Sequence, residues 1–368
     1  MHASRLDETL SHAAAGAGVP GAQAVVLRDG DELWSGVYGL ADIAAGTPVT
    51  DDTVFCLASV GKLLLATFIL HRAERGLLDL DAPIASVLGR EIPGTDVVTM
   101  RMLLAHTAGY PDVYESPGVQ VLMPPEKPGE TSDYDPDRPF TWSMLAPGYR
   151  EPVEPGRHWA YSNGGYIVLT EVLARLLGGP AELMAAWAGF VASDARLGLG
   201  DGLLTPERSE SARSRLAHGY CRQDGGPYAD VNADHPAIGI PTDLYGLPFG
   251  DGMFAGTARG AGRFLDAVFV RGAFLGEPTL AQMTVTSAQA AADGPAEPGL
   301  DTYGLGTFRI PESGAAWQGH SGTYGGFSAL AATRRADGVT LVVLTNGMTD
   351  DVQPARSIWR ELAATCTA

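Results

Sequence analysis

Apolar positions along this chain follow three patterns, and each predicts a different kind of element. Residues 6–15 read as a short helix ended by Gly16 and Gly18, and residues 22–27 and 32–38 read as strands. Between those strands stands Asp29-Gly30, a pair that accepts the backbone of a tight hairpin turn. The second pattern is an unbroken run, Leu-Leu-Leu-Ala-Thr-Phe-Ile-Leu over residues 63–70. A helix that is apolar around its whole circumference belongs inside a protein. The third pattern closes the chain: residues 304–310, 316–322, 327–333 and 339–344 predict four strands, with Asp337-Gly338 as the hairpin between the last two. Residues 354–364 predict a final helix.

Between the two ends the chain is mainly helical. Thr99 is placed to cap a short helix over residues 99–106 that Gly109 would end, and another helix begins near Tyr166 and breaks at Gly178-Gly179-Pro180. Residues 111–158 hold ten of the 25 prolines together with Tyr114, Tyr134, Trp142 and Tyr149. That stretch predicts a long irregular excursion whose aromatics face a substrate. The simplest assembly is an α/β fold: one antiparallel sheet made from both chain ends, flanked by helices. It implies a discontinuous domain of residues 1–80 plus 240–368 and an inserted, mainly helical region at 81–239. No repeat of 20–50 residues interrupts this reading.

Composition narrows the choice of partners. A chain of 368 residues with 45% hydrophobic and 18% charged residues is long enough for a substantial core without disulfide staples. A formal net charge of −18 argues against nucleic acid and anionic membranes, since both require a basic surface, and favours a small molecule. Cys56, Cys221 and Cys366 are few, far apart and without CxxC spacing, which predicts free thiols. With acidic residues near the N-terminus and no run of membrane-spanning length, the expected location is the cytoplasm. No cofactor is implied.

Candidate chemistry centres on the start of the buried helix. Ser59 and Lys62 lie three positions apart, so on a helix their side chains share one face. Only two of the 25 basic residues are lysines, Lys62 and Lys127, and the rest are arginines. Arginine keeps its proton, whereas a buried lysine can lose its charge and become a base. The choice of lysine at position 62 therefore points to proton chemistry, with a neutral amine as the expected form. Gly16 to Gly21 matches GxGxxG, but a dinucleotide fingerprint follows a strand and opens a helix, and here the order is reversed. Ser162 lacks the preceding strand of a nucleophile elbow, and Asp230, Asp234 and His235 lack the spacing of a metal site.

Three motifs in order carry a resemblance. Ser59-Val60-Gly61-Lys62 opens the buried helix, Tyr161-Ser162-Asn163 sits in the loop before a later helix, and His320-Ser321-Gly322 lies on a C-terminal strand. His106-Thr107-Ala108-Gly109, Pro155-Gly156-Arg157 and Leu344-Thr345-Asn346 support them. Together they resemble the penicillin-recognising serine enzymes: class C β-lactamases, D-Ala-D-Ala carboxypeptidases, D-aminopeptidases and the esterases built like β-lactamases.

The resemblance implies a β-lactamase-like (DD-peptidase-like) fold and a metal-free serine hydrolase that cleaves an ester or amide through an acyl-enzyme. Ser59 would be the nucleophile, Lys62 and Tyr161 the proton relay, and Asn163 would orient Lys62 and the substrate amide. The backbone N–H groups of Ser59 and Thr323 would form the oxyanion hole, and Gly322 would let substrate lie along the strand. His106 reads as structural. The commonest form of the third motif is Lys-Thr-Gly, so His320 shifts the expectation away from β-lactams toward an ester or amide that lacks a carboxylate. The alternatives are an acyltransferase or peptide cyclase using the same acyl-enzyme, a carboxypeptidase, aminopeptidase or β-lactamase, and a catalytically silent ligand-binding protein.

Overall fold

In a computed structural model, the described residues are 3–122, 141–194, 203–204, 214–222, 226–234, 250–252, 254–293, 300–349 and 353–367. Asp29 and Gly30 both take left-handed backbone, with φ of 50° and 90°. The chain reverses there, and β1 (Gly21–Arg28) pairs antiparallel with β2 (Asp31–Asp42). A short β3 (Thr47–Pro48) follows. The C-terminal strands are β4 (Thr302–Tyr303), β5 (Phe308–Glu312), β6 (Ala315–Tyr324), β7 (Phe327–Arg334) and β8 (Val339–Thr345). They join the N-terminal strands in one eight-stranded antiparallel sheet of order β3-β2-β1-β8-β7-β6-β5-β4. The two chain ends meet at the β1–β8 ladder, where Ala22 pairs with Thr345 and Arg28 with Val339.

Both faces of this sheet are covered, and for that reason its central strands read as continuous apolar runs. On one face Val25, Leu27, Ala329, Ala331, Val342 and Leu344 pack into a large helical layer. That layer contains α2 (Val60–Glu74), following α1 (Ala3–Ala17) in the chain, and then α3 (Met100–Leu104), α4 (Asn163–Leu177), α5 (Pro180–Val191) and α6 (Ala258–Phe269). The alternate residues Ala22, Ala24, Val26, Leu330, Leu341 and Val343 face α1 and the closing helix α7 (Pro354–Thr367). Helix α2 is buried at every position from Val60 to Leu70, as its all-round apolar surface requires.

Three local expectations change. The strand expected at 304–310 divides, because Gly306 (φ 80°) presses against α2, where a Cβ would stand 2.2 Å from that of Ala66. Helix α3 is capped as expected, by the Thr99 hydroxyl accepting the Met102 N–H at 3.3 Å. It ends earlier than Gly109, since His106 itself takes the left-handed backbone at φ 57°. The helix expected from near Tyr166 starts at Asn163, where the Ser162 hydroxyl accepts the Gly165 N–H. Its oxygen serves as a cap. Of the 111–158 excursion, residues 123–140 lie outside the described residues, Tyr134 among them. Tyr149 is buried with its hydroxyl donating to the Gly164 carbonyl, and Trp142 donates to Glu91. Those two aromatics pack into the fold instead of facing a substrate. Among the described residues Cys56, Cys221 and Cys366 form no disulfide, and no helix is long and apolar enough to cross a membrane.

One buried polar side chain ties the sheet to the helical layer. The Gln23 amide donates to the carbonyls of Thr50 and Asp51, and its oxygen accepts the N–H of Ala258, at the start of α6. Gln23→Leu leaves the buried Ala258 N–H without this acceptor, a loss of about 1–3 kcal/mol. Urea unfolding should show the lower midpoint at an unchanged m-value. An unaltered midpoint would remove Gln23 from any structural role.

Candidate active site

The serine is aimed by an unfavourable turn. Ala58 has φ 47°, a left-handed conformation that costs a non-glycine residue about 1 kcal/mol. Ser59 follows at the N-cap of α2, yet its hydroxyl makes no cap hydrogen bond. Instead Ser59 Oγ lies 2.9 Å from Lys62 Nζ, one turn along the same face. Glycine makes this turn accessible from three sides. A Cβ on Gly61 would meet the Phe254 ring at 2.4 Å, one on Gly252 would meet the Ala58 carbonyl carbon at 2.8 Å, and one on Gly322 would stand 2.7 Å from the Ser59 nitrogen. The sheet, through Gly322 on β6, therefore touches the start of α2.

Lys62 has no exposed surface. Its three N–H bonds have three acceptors: Ser59 Oγ at 2.9 Å, the Asp251 backbone carbonyl, and Asp251 Oδ1 at 2.8 Å. Burial pulls the lysine pKa down, but the Asp251 carboxylate and Tyr161 push it up by more, and the balance is above the ordinary value. That direction is opposite to the one expected from burial alone. Burial favours a neutral amine, and an adjacent carboxylate reverses that preference. The other carboxylate oxygen, Asp251 Oδ2, accepts from the Tyr114 hydroxyl at 3.0 Å. Of the aromatics in the excursion, Tyr114 is thus one that reaches the site.

Tyr161 completes the cluster. Its hydroxyl engages both Ser59 and Lys62, and the ammonium lies 5.2 Å from its ring centroid. Burial raises the phenol pKa, only partly countered by the Lys62 charge, so Tyr161 holds its proton. The loop carrying Tyr161 is fixed from below by His106. The His106 ring lies 4.3 Å from the Tyr161 ring, its Nδ1 accepts the Ser162 N–H, and its carbonyl accepts the Ala160 N–H. The other ring nitrogen has no hydrogen-bond partner and is enclosed by Tyr166, Tyr303 and Trp159. Burial holds this imidazole neutral, well below its usual pKa.

Asn163 departs from its expected contact with Lys62. Its side-chain N–H donates to Asp112 Oδ2 at 2.9 Å, and the same oxygen accepts its backbone N–H. Asp112 also caps the short turn that presents Tyr114. Asn163, Asp112, Tyr114 and Asp251 thus form one side of the site.

The opposite side is β6. His320 is buried, its Nδ1–H donating to the Ser321 carbonyl and its Nε2 accepting from Tyr303 at 3.3 Å. Burial first, and then the Lys62 charge, hold its pKa down at about 3, so the ring is neutral. Strand β5 pairs with β6 only as far as Gly319, which leaves the β6 edge from His320 to Tyr324 open. The Gly319 carbonyl points to that edge, toward Thr307, and the uninterrupted β6–β7 register puts the Thr323 N–H on the same edge by alternation. Of the seven residues named from the sequence, Ser59, Lys62, Tyr161, His320 and Gly322 are linked by close contacts, Thr323 follows Gly322 on β6, and Asn163 joins them through Asp112, Tyr114 and Asp251.

Asp251, Asp112 and Tyr303 are additions from the tertiary structure. The signal for Asp251 was an acidic residue between two glycines, Gly250 and Gly252, each of which permits a close approach. Of the residues weighed for a metal, Asp230 is engaged by His218 and by the Asn232 N–H, and His235 lies outside the described residues. Among the described residues no group of three or more His, Cys, Asp or Glu is arranged to hold a metal ion.

Comparison with known proteins identifies the family and the fold. A family model described as Beta-lactamase matches residues 6–365. Esterase EstB of Burkholderia gladioli is 34% identical over 203 residues, which is 52% of this chain and 49% of the esterase. The chain thus spans about half the length of that curated relative. A D-stereospecific amidohydrolase from Streptomyces sp. superposes with a TM-score of 0.77 at 24% identity, covering 100% of both chains. The D-amino acid amidase of Ochrobactrum anthropi SV3 also superposes with a TM-score of 0.77, at 22% identity, covering 99% of this chain and 98% of its own. At those identities the two structures attest the fold. With nearly its whole length matched, the chain belongs to the β-lactamase family of penicillin-recognising serine enzymes.

Proposed function

We propose that the chain is a serine hydrolase that cleaves an ester or amide through an acyl-enzyme on Ser59. The observation that carries this reading is the unspent Ser59 hydroxyl, 2.9 Å from a fully buried lysine at the mouth of an open strand edge. A serine hydroxyl needs a base, and Lys62 with Tyr161 supplies the path for its proton. In acylation, once the Lys62 ammonium has given up one proton, Ser59 Oγ bonds to the substrate carbonyl carbon, its proton passes to the freed Lys62 amine, and the carbonyl electrons move onto oxygen. That oxyanion lies between the N–H groups of Ser59 and Thr323, each such donor being worth about 3 kcal/mol in the transition state. As the intermediate collapses, the bond to the leaving group breaks and Tyr161 returns the proton to it. Water then repeats the sequence on the acyl-serine.

His320 guides the substrate class. A buried neutral imidazole offers no positive charge to a substrate carboxylate, which favours esters or amides that lack one over β-lactams and carboxypeptidase substrates. An esterase, an amidohydrolase and an amidase among the similar proteins are consistent with such acyl donors.

Ser59→Ala and Lys62→Ala should each lower kcat/KM for p-nitrophenyl acetate by at least about a thousandfold. Intact-mass analysis after a fluorophosphonate should show one adduct on the native protein and none on Ser59→Ala. Full activity in either variant sinks the mechanism. A second measurement compares a neutral ester with its carboxylate-bearing analogue. Their kcat/KM ratio should stay flat between about pH 5 and 8, because His320 gains no charge in that range. A preference for the anionic ester that grows on acidification would instead indicate a charged histidine.

A further inference from the structure

Lys62 is the group whose charge decides whether Ser59 can be activated, and the structure places a carboxylate on it. We propose that Asp251 is the positioning residue of the Ser59–Lys62 pair, holding Lys62 as an ammonium pointed at Ser59 so that the resting serine is disarmed. The inference rests on the serine-hydrolase reading and adds a residue outside the three motifs that support it.

The geometry is a chain of four side chains. Tyr114 donates to Asp251 Oδ2 at 3.0 Å, Asp251 Oδ1 receives Lys62 Nζ at 2.8 Å, and Nζ meets Ser59 Oγ at 2.9 Å. With the Asp251 backbone carbonyl as a third acceptor, the three N–H bonds of an ammonium at Lys62 are matched by Ser59 Oγ, Asp251 Oδ1 and that carbonyl, and an ammonium has no lone pair to offer the serine. Two contacts from one residue fix both the direction and the charge of the amine. Gly250 and Gly252 make this placement feasible, because a Cβ on either would collide, with Thr170 at 2.3 Å or with Ala58 at 2.8 Å.

The groups facing Lys62 from the other elements do not supply the same charge. His106 behind α3 and His320 on β6 are neutral through burial. Tyr161 and Tyr166 present their rings at 5.2 and 5.7 Å, and burial keeps both phenols protonated, as it does Tyr114. Asp112 is turned to Asn163 and the Tyr114 N–H, with its own pKa raised by burial. Asp251 is the carboxylate in direct contact. Activation then consists of breaking one Nζ–H bond: the proton leaves to solvent, the electron pair stays on nitrogen, and that pair accepts the Ser59 proton. Acylation should rise with pH along the titration of Lys62, and removal of the carboxylate should move that rise to lower pH.

Two readouts test this. The chain has two lysines, so in a Lys127→Arg background ¹⁵N labelling at Nζ leaves a single signal, that of Lys62. The native site should show the ammonium form at pH 7 and above, whereas Asp251→Asn, which preserves shape, should show titration displaced downward by about one to three pH units. The rate of fluorophosphonate labelling, followed against pH, should have its ascending limb displaced by the same amount in Asp251→Asn. A neutral Lys62 amine at pH 7 in the native protein overturns the proposal, as does an Asp251→Asn profile that merely falls in height. If that variant does not fold, the native spectrum decides. Failure of the native protein to label on Ser59 would instead reject the serine-hydrolase reading, while the lysine titration still reports on Asp251.

Discussion

A lysine with no exposed surface must have its charge answered from within, and the pairing of Lys62 with Asp251 is the interaction on which this site depends. An uncompensated buried charge costs several kcal/mol, and removing one partner of a buried pair typically costs about 3–5 kcal/mol. The contact therefore constrains everything it joins: the first turn of α2, the glycine-flanked loop at 250–252, and through Tyr114 and Asp112 the start of α4. The same contact orients the amine toward Ser59. Stability and candidate chemistry share one ion pair.

Around that pair the fold solves a problem of access. Helix α2 lies in the large core, yet its first residue must be reached by a substrate. The sheet approaches through Gly322, the loop through Gly252 and the Phe254 ring over Gly61, so two backbone segments and one aromatic ring close on the start of α2. The left-handed turn at Ala58 leads directly into Ser59, whose hydroxyl meets Lys62 at this junction. On the floor of the cleft, His106 and His320 are kept neutral by burial among Tyr161, Tyr166, Tyr303 and Phe308. Their rings act as shaped polar fillers that hold the Tyr161 loop and the β6 edge.

Much of this was legible in the chain itself. The hairpin signals at Asp29-Gly30 and Asp337-Gly338, the strand-like runs at both chain ends and the all-round apolar α2 are local patterns, and the sheet joining both ends follows from them. Serine and lysine on one helical face are likewise a matter of spacing. The places where expectation failed share a cause. Gly306 splits a strand because α2 presses on it, His106 ends α3 in the backbone shape expected of a glycine, and Asn163 turns to Asp112. Each depends on a neighbour distant in the sequence.

What the sequence determined by itself is therefore the order of the main elements, the helix-flanked sheet from both chain ends and the placing of Ser59 and Lys62 on one helical face, because these rest on periodicity, turn chemistry and spacing. The tertiary structure decided the charge on those residues. Burial by itself predicts a neutral Lys62, and 189 positions separate it from the carboxylate that makes it an ammonium. Whether a buried amine keeps its proton is set by the groups within a few ångströms of it, and only the folded chain brings Asp251 there.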